Sequence, residues 1–222
     1  YGNAILTKDK EGILLKISTK KIQRELNLRR GLTIQSLSFS SQGCEPCIGT
    51  LPHGHFSSIS LGADYYSGGL VIELPLQRER ITDLEKIDPK FRIKSNGDIE
   101  VSAEIKTQLG SIIKSVTIST SSEKISLSYS FLNWDRFFGT IRLGVLTFLN
   151  HFVSGKTTLS CCNGGENSEV FILEGKIDHT RPASTLVSSS RGLGATTGSI
   201  KIENFDKTIN LDWNPAECAV MP

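Results

Sequence analysis

The stretch IEVSAEIKTQLGSIIKSVTISTSSEKISLSYSF, residues 99–131, decides the fold. Its first segment, IEVSAEI (99–105), puts Ile99, Val101, Ala103 and Ile105 on one side. Its last, ISLSYSF (125–131), does the same with Ile125, Leu127, Tyr129 and Phe131, and leaves three serines opposite. Successive side chains of a strand point to opposite faces, so this alternation predicts one buried and one wet face, as in antiparallel sheets. Between them, 112–119 is a further strand, and SSEK (121–124) joins it to 125–131.

Outward from that stretch the same grammar continues. SNGD (95–98) contains Asn96–Gly97, the pair suited to a type I′ hairpin, and joins 91–94 to 99–105. INLDW (209–213) alternates, and FDK (205–207) joins the last two strands. Further strands are expected at 12–18, 21–27, 32–39, 70–75, 140–148, 169–175, 184–188 and 198–203. No segment carries a sustained three-four apolar repeat with caps, so little helix is expected beyond one turn in TDLEKIDP (82–89). About a dozen strands at short spacing, with serine and threonine on the outer face, predict an all-β fold. Its expected form is a large two-sheet antiparallel sandwich, one domain over residues 1–222. No blade-length repeat is present, which argues against a propeller.

Composition narrows the classes. The 222 residues are 38% hydrophobic with a formal net charge of +2, so a core is affordable and nothing attracts nucleic acid. The basic runs are only Lys20–Lys21 and Arg29–Arg30. The most apolar window, FFGTIRLGVLTFLNHFV (137–153), is broken by Arg142 and His151 and falls short of a bilayer span, so no membrane partner is expected. The N-terminus lacks the order of a secretory signal. Both ends look cut, as if a domain had been excised from a longer polypeptide. Five cysteines, an odd number, argue against a complete disulfide framework and favour a soluble, cytoplasmic setting. CEPC (44–47) supplies Cys44 and Cys47, and 161–162 is a vicinal pair. Neither a second C-x-x-C nor an H-x-x-x-H is present, so Cys44 and Cys47 are a weak zinc alternative and no cofactor is expected.

Four glycine-rich polar stretches interrupt the alternation: GTLPHGHF (49–56), GADYYSGG (62–69), CNGGENSE (162–169) with DHTRP (178–182), and SRGLGATTGS (190–199). Binding residues favour such loops. Asp64, Tyr65 and Tyr66 set a carboxylate beside two rings with polar tips. Sugars suit that pairing, because their C–H faces stack and their hydroxyls need acceptors. Satisfied core tyrosines are the plain alternative. His53 and His55, two apart, are either a proton-transfer or metal pair, or one structural histidine bonded to backbone beside one exposed. Glu166 and Glu169 are candidate sugar ligands or bases, His179 follows Asp178, and His151 reads as structural. The 190–199 loop lacks the Walker lysine and a following helix, and no G-x-S-x-G elbow is present, so nucleotide binding and serine hydrolase chemistry are not expected.

In order along the chain, RRGLTIQSLSF (29–39), GTLPHGHF (49–56), GADYYSGG (62–69), TDLE (82–85), EIKTQLGSIIKS (104–115), GTIRLGVLTFL (139–149), NGGENSEVFIL (163–173) and STLVSSSRGLGATTGSI (184–200) carry a resemblance. Together they resemble the β-sandwich that follows the catalytic barrel in glycoside hydrolase family 57 and related polysaccharide-acting proteins. That sandwich belongs to the galactose-mutarotase-like supersandwich class. The resemblance implies a carbohydrate-associated accessory domain that binds glucan or oligosaccharide, or packs on a catalytic domain of the same polypeptide, and is not catalytic alone. It assigns no catalytic residue. Asp64, Tyr65, Tyr66, Glu166, His179 and His53 are the expected ligand-binding residues. The same class includes aldose epimerases, for which His55, His179 and Glu169 would be the acid–base set by residue type. A purely structural module packing on a catalytic neighbour is the third reading.

Overall fold

The computed structural model describes residues 4–43, 45–153, 156–173, 195–205 and 207–220. The chain is all-β and antiparallel, with four sheets and two short 3-10 turns among the described residues. The four antiparallel sheets fit the expected all-β, sandwich-like fold. The contacts group into two compact units, Tyr1–Leu149 and Asn150–Pro222, with three sheets in the first and one in the second among the described residues. The candidate strand 184–188 lies outside the described residues. No helix among the described residues is long and apolar enough to cross a membrane.

The first unit opens with a five-stranded sheet in chain order: β1 (Ile5–Lys8), β2 (Leu14–Ser18), β3 (Ile22–Asn27), β4 (Thr33–Phe39) and β5 (Ile48–Gly49). Next come β6 (Gly69–Leu74), β7 (Glu79–Thr82), β8 (Lys90–Ile93), β9 (Ile99–Thr107), β10 (Gly110–Ile118), β11 (Ile125–Leu132) and β12 (Thr140–Val145). They form a four-stranded sheet, β11–β10–β9–β8, and a three-stranded sheet, β12–β6–β7. The alternation in 99–118 holds: Ile99, Val101, Ala103 and Ile105 are buried in β9, as are Ile112, Val116 and Ile118 in β10, whereas in β11 Ile125, Leu127 and Tyr129 are only half-buried and Phe131 is exposed. Leu70, Ile72 and Leu74 of β6 pack with Ile105 and Ile112, so the three-stranded sheet lies against β9 and β10. Fully burying each such side chain is worth about 1.5–3 kcal/mol.

The hairpin at 95–98 joins β8 to β9 as expected, but not through a type I′ turn. That turn needs two positive φ angles, and only Gly97 has one, at 84°. The Gly97 N–H bonds the Lys94 carbonyl, and the Lys94 N–H bonds the Asp98 carbonyl. Asn96 keeps negative φ and its side chain accepts from the Asp98 N–H and donates to the Asp98 carboxylate. The helical turn expected in 82–89 is absent: β7 ends at Thr82 and an extended segment follows. That segment is fixed from the β3–β4 turn. Gly31 donates its N–H to the Glu85 carbonyl, and its φ of 58° lets the backbone pass where a side chain would strike the Asp83 carbonyl.

The second unit holds one sheet in the order β14–β13–β15–β16. Its strands are β13 (Thr158–Cys161), β14 (Glu169–Ile172), β15 (Ser199–Asn204) and β16 (Lys207–Asp212). Leu159, Ile200, Ile202 and Ile209 form its buried side. Asn204 donates to the Phe152 carbonyl beneath them.

Candidate functional site

The stretch 49–69 is neither a free loop nor a strand pair. Residues 50–57 run irregularly, Ile59–Tyr65 coil into a 3-10 turn, and Gly69 starts β6. The turn is docked at its end, where the Tyr66 N–H bonds the Ala63 carbonyl and the Leu51 N–H bonds the Tyr65 carbonyl. This puts Tyr66 inside, at 7% exposure, and leaves Tyr65 at 37%.

The two histidines separate in role. His53 lies 2.7 Å from the Gly54 carbonyl through Nδ1 and 2.9 Å from the Tyr66 hydroxyl through Nε2. A carbonyl only accepts, so Nδ1 carries the proton and, in the neutral ring, Nε2 accepts from Tyr66. Rings of Phe56, Tyr65 and Tyr66 stand 5.1–5.4 Å from the His53 ring, centroid to centroid. His53 therefore fastens the loop and orients Tyr65. His55 is exposed.

Asp64 is bound up with three residues the sequence reading did not single out. Arg142 Nη1 and Arg80 Nη1 lie 3.1 and 3.5 Å from its two oxygens. Both guanidinium groups also donate to Glu73 Oε1, at 2.8 Å from Arg80 and 3.2 Å from Arg142. The register explains the ring of charge: Glu73 of β6 faces Arg80 of β7 across one ladder, and Thr140, two before Arg142, faces it across the other. The hydrogen bond from Arg80, with the nearby Arg142 charge, holds the Glu73 carboxyl below its ordinary range. Arg80 also donates to the Ser60 carbonyl at 3.2 Å, tying the 3-10 turn to β7.

Beside this ring lies an open cleft of about 440 Å³ lined by Ser58, Ser60, Glu79, Arg80, Ile81, Thr82, Glu85, Lys106, Thr107 and Gln108. Nine of its ten lining residues are polar, and the two acids balance the two cations. Ser58 and Ser60 belong to the segment that carries Asp64 and Tyr65, and Arg80 touches both cleft and ring.

A second polar cluster is buried in the same unit. Lys114 and Asp83, each 0% exposed, pair at 2.7 Å. The other Asp83 oxygen accepts the Leu70 N–H at 2.8 Å. Tyr129 donates to the Gly68 carbonyl at 2.8 Å, and Lys114 Nζ stands 5.6 Å from its ring centroid. Arg24, 2% exposed on β3, has no protein hydrogen-bond partner among the described residues at any guanidinium nitrogen. Burial pushes Arg24 down to about 9, because desolvation disfavours its charged form. Burial likewise pushes Lys114 down against the pull of Asp83, and Tyr129 well up. The signal was present in the sequence: Arg24 sits between Ile22 and Leu26, and Lys114 between Ile112 and Val116, both in inward-facing files.

The remaining expected residues lie elsewhere. Glu166 is exposed and Glu169 begins β14 opposite Cys161, both in the second unit. His179 and Cys44 lie outside the described residues. Cys47 is buried and its thiol donates to the Leu37 carbonyl. Among the described residues no three His, Cys, Asp or Glu side chains converge on a metal position. The chain matches no family model, no curated protein and no solved structure.

Proposed function

We propose that the first unit binds a neutral oligosaccharide in the cleft beside the 59–65 turn, as a module that binds and does not itself catalyse. The observation that carries this reading is the cleft's lining. It is about 440 Å³, within the range of small-molecule sites, yet almost entirely polar and charge-balanced. Apolar ligands gain little there, and charged ones meet equal attraction and repulsion. A neutral polyol finds donors in Lys106 and Arg80 and acceptors in Glu79 and Glu85, with Gln108 able to do either. The half-exposed ring of Tyr65, held by His53 and Phe56, offers a stacking face at the end of the same 3-10 turn. Asp64 serves in this reading by fixing the turn through Arg80 and Arg142, rather than by meeting the sugar directly. The resemblance to sandwiches that accompany glycoside hydrolases points to the same ligand class.

Calorimetric titration with maltooligosaccharides tests it. Binding that Glu85→Ala and Gln108→Ala each weaken at least tenfold, with the unfolding midpoint unchanged, is the expected result. No heat at millimolar sugar sinks the reading.

A second reading, a module that packs on a catalytic neighbour, draws on a different observation. Phe131 near the end of β11 and Trp134 and Phe137 of the β11–β12 connection stand in successive ring contact at 4.7 and 5.9 Å, and Phe138 is 67% exposed. Such aromatic clusters are enriched at interfaces.

A further inference from the structure

Buried charges in folded proteins are paired, hydrogen-bonded or neutralised, because an isolated one costs far more than folding supplies. Asp83 and Lys114 satisfy that rule with each other. Arg24 does not: its three nitrogens are buried and have no hydrogen-bond partner among the described residues. Neutralisation is not an exit at neutral pH, since even after burial Arg24 keeps its proton up to about 9.

The charge balance of the interior is thus uneven. Two basic side chains, Arg24 and Lys114, stand there against one acidic side chain, Asp83. Tyr129, pushed well up by burial, stays neutral. The Arg24 charge adds to the burial that lowers Lys114. Lys114 gives Asp83 one N–H, which leaves it further donors. The surplus is a single positive charge beside a guanidinium whose planar fork has unused N–H groups.

We propose that the Arg24 guanidinium, inside the first unit, is the binding site of one small monovalent anion of the halide class. Size follows from burial: Arg24 is 2% exposed, and Lys114 and Asp83 are 0% exposed, so a peptide carboxylate or a sugar acid has no path to it. Valence follows from the surplus. One negative charge neutralises the cluster, and two would invert it. The anion acts as a component of the core and stabilises the native state by mass action. This site is separate from the cleft, and neither proposal depends on the other.

The test is thermal unfolding of the purified chain at fixed ionic strength, with sodium bromide replacing sodium gluconate. Above the dissociation constant the midpoint should rise by about 3 °C for each tenfold increase in bromide. Sulfate should behave as gluconate does. Arg24→Met should abolish the bromide effect, and the chloride NMR line should be broader with the wild-type chain than with this variant. Should Arg24→Met not fold, the Lys114→Met/Asp83→Met double variant decides instead. It keeps Arg24 and its surplus charge, and should keep the halide dependence. Equal midpoints in bromide and gluconate overturn the proposal, as does a bromide effect that survives in Arg24→Met.

Discussion

Asp83→Asn and Lys114→Met each break the same 2.7 Å buried pair, yet they should not cost the same. Removing one partner of a buried ion pair costs about 3–5 kcal/mol, chiefly because the other charge is stranded. What is stranded differs here. Lys114→Met leaves Asp83 and Arg24, one charge of each sign. Asp83→Asn leaves Lys114 and Arg24, two positive charges that already repel. The asparagine keeps an oxygen for the Leu70 N–H, so that backbone bond survives and the difference is one of charge. Asp83→Asn should therefore lie at about 5 kcal/mol or beyond, and Lys114→Met at about 3 kcal/mol or below. At about 2–4 °C per kcal/mol, the first should lower the midpoint by about 10–20 °C. Urea unfolding in gluconate buffer, with unchanged m-values, measures both.

Raising the pH adds a second check. A cation whose folded pKa lies below its unfolded one is penalised in the fold while it stays protonated. Between the two values the unfolded chain binds more protons, so stability rises with pH. Arg24, lowered to about 9, and Lys114, also lowered, both behave so. Without Asp83 to hold Lys114 charged, Asp83→Asn should recover stability on the alkaline side of neutral more steeply than the wild type. A Lys114→Met variant less stable than Asp83→Asn, or a flat pH response in Asp83→Asn, would refute the charge argument.

Two further outcomes follow from the geometry. Gly31→Ala forces a side chain into the Asp83 carbonyl at a φ of 58° and should destabilise by at least about 3 kcal/mol by chemical denaturation. For Glu73, held below its ordinary carboxyl range by Arg80, the associated stability is present above about pH 4.5 and is lost as pH falls through the lowered folded value. The pair is largely solvent-exposed, so the loss should stay under about 1 kcal/mol and vanish in Arg80→Met, read from urea midpoints across the acid range.

Parity was the legible part of this sequence. Alternation in 99–105 fixed which side chains face inward, in 125–131 it did so only up to the exposed Phe131, and the short connections fixed which strands are neighbours. Chemistry on the inward face was less visible. Lys114 and Arg24 occupy inward positions, but basic residues ordinarily mark the wet face, and only the long-range approach of Asp83 to Lys114 gives Lys114 a partner there. The turn at Asn96 escaped because Asn–Gly suits several loop lengths, and here the Asn96 amide bonds Asp98 with φ negative. The contacts of the DYY segment were not legible either. Whether Asp64 is unengaged or bridged depends on Arg80 and Arg142, which arrive from strands 16 and 78 residues away.

The paired core charges also bear on how this sequence can change over generations. Any single replacement at position 83 or 114 passes through a chain with a stranded charge. A route to an all-apolar core therefore requires both positions to change nearly together, while Gly31 stays fixed by the carbonyl of Asp83 beside it. Divergent relatives should accordingly show either Asp with Lys or two apolar residues at these positions, and mixed pairs only rarely.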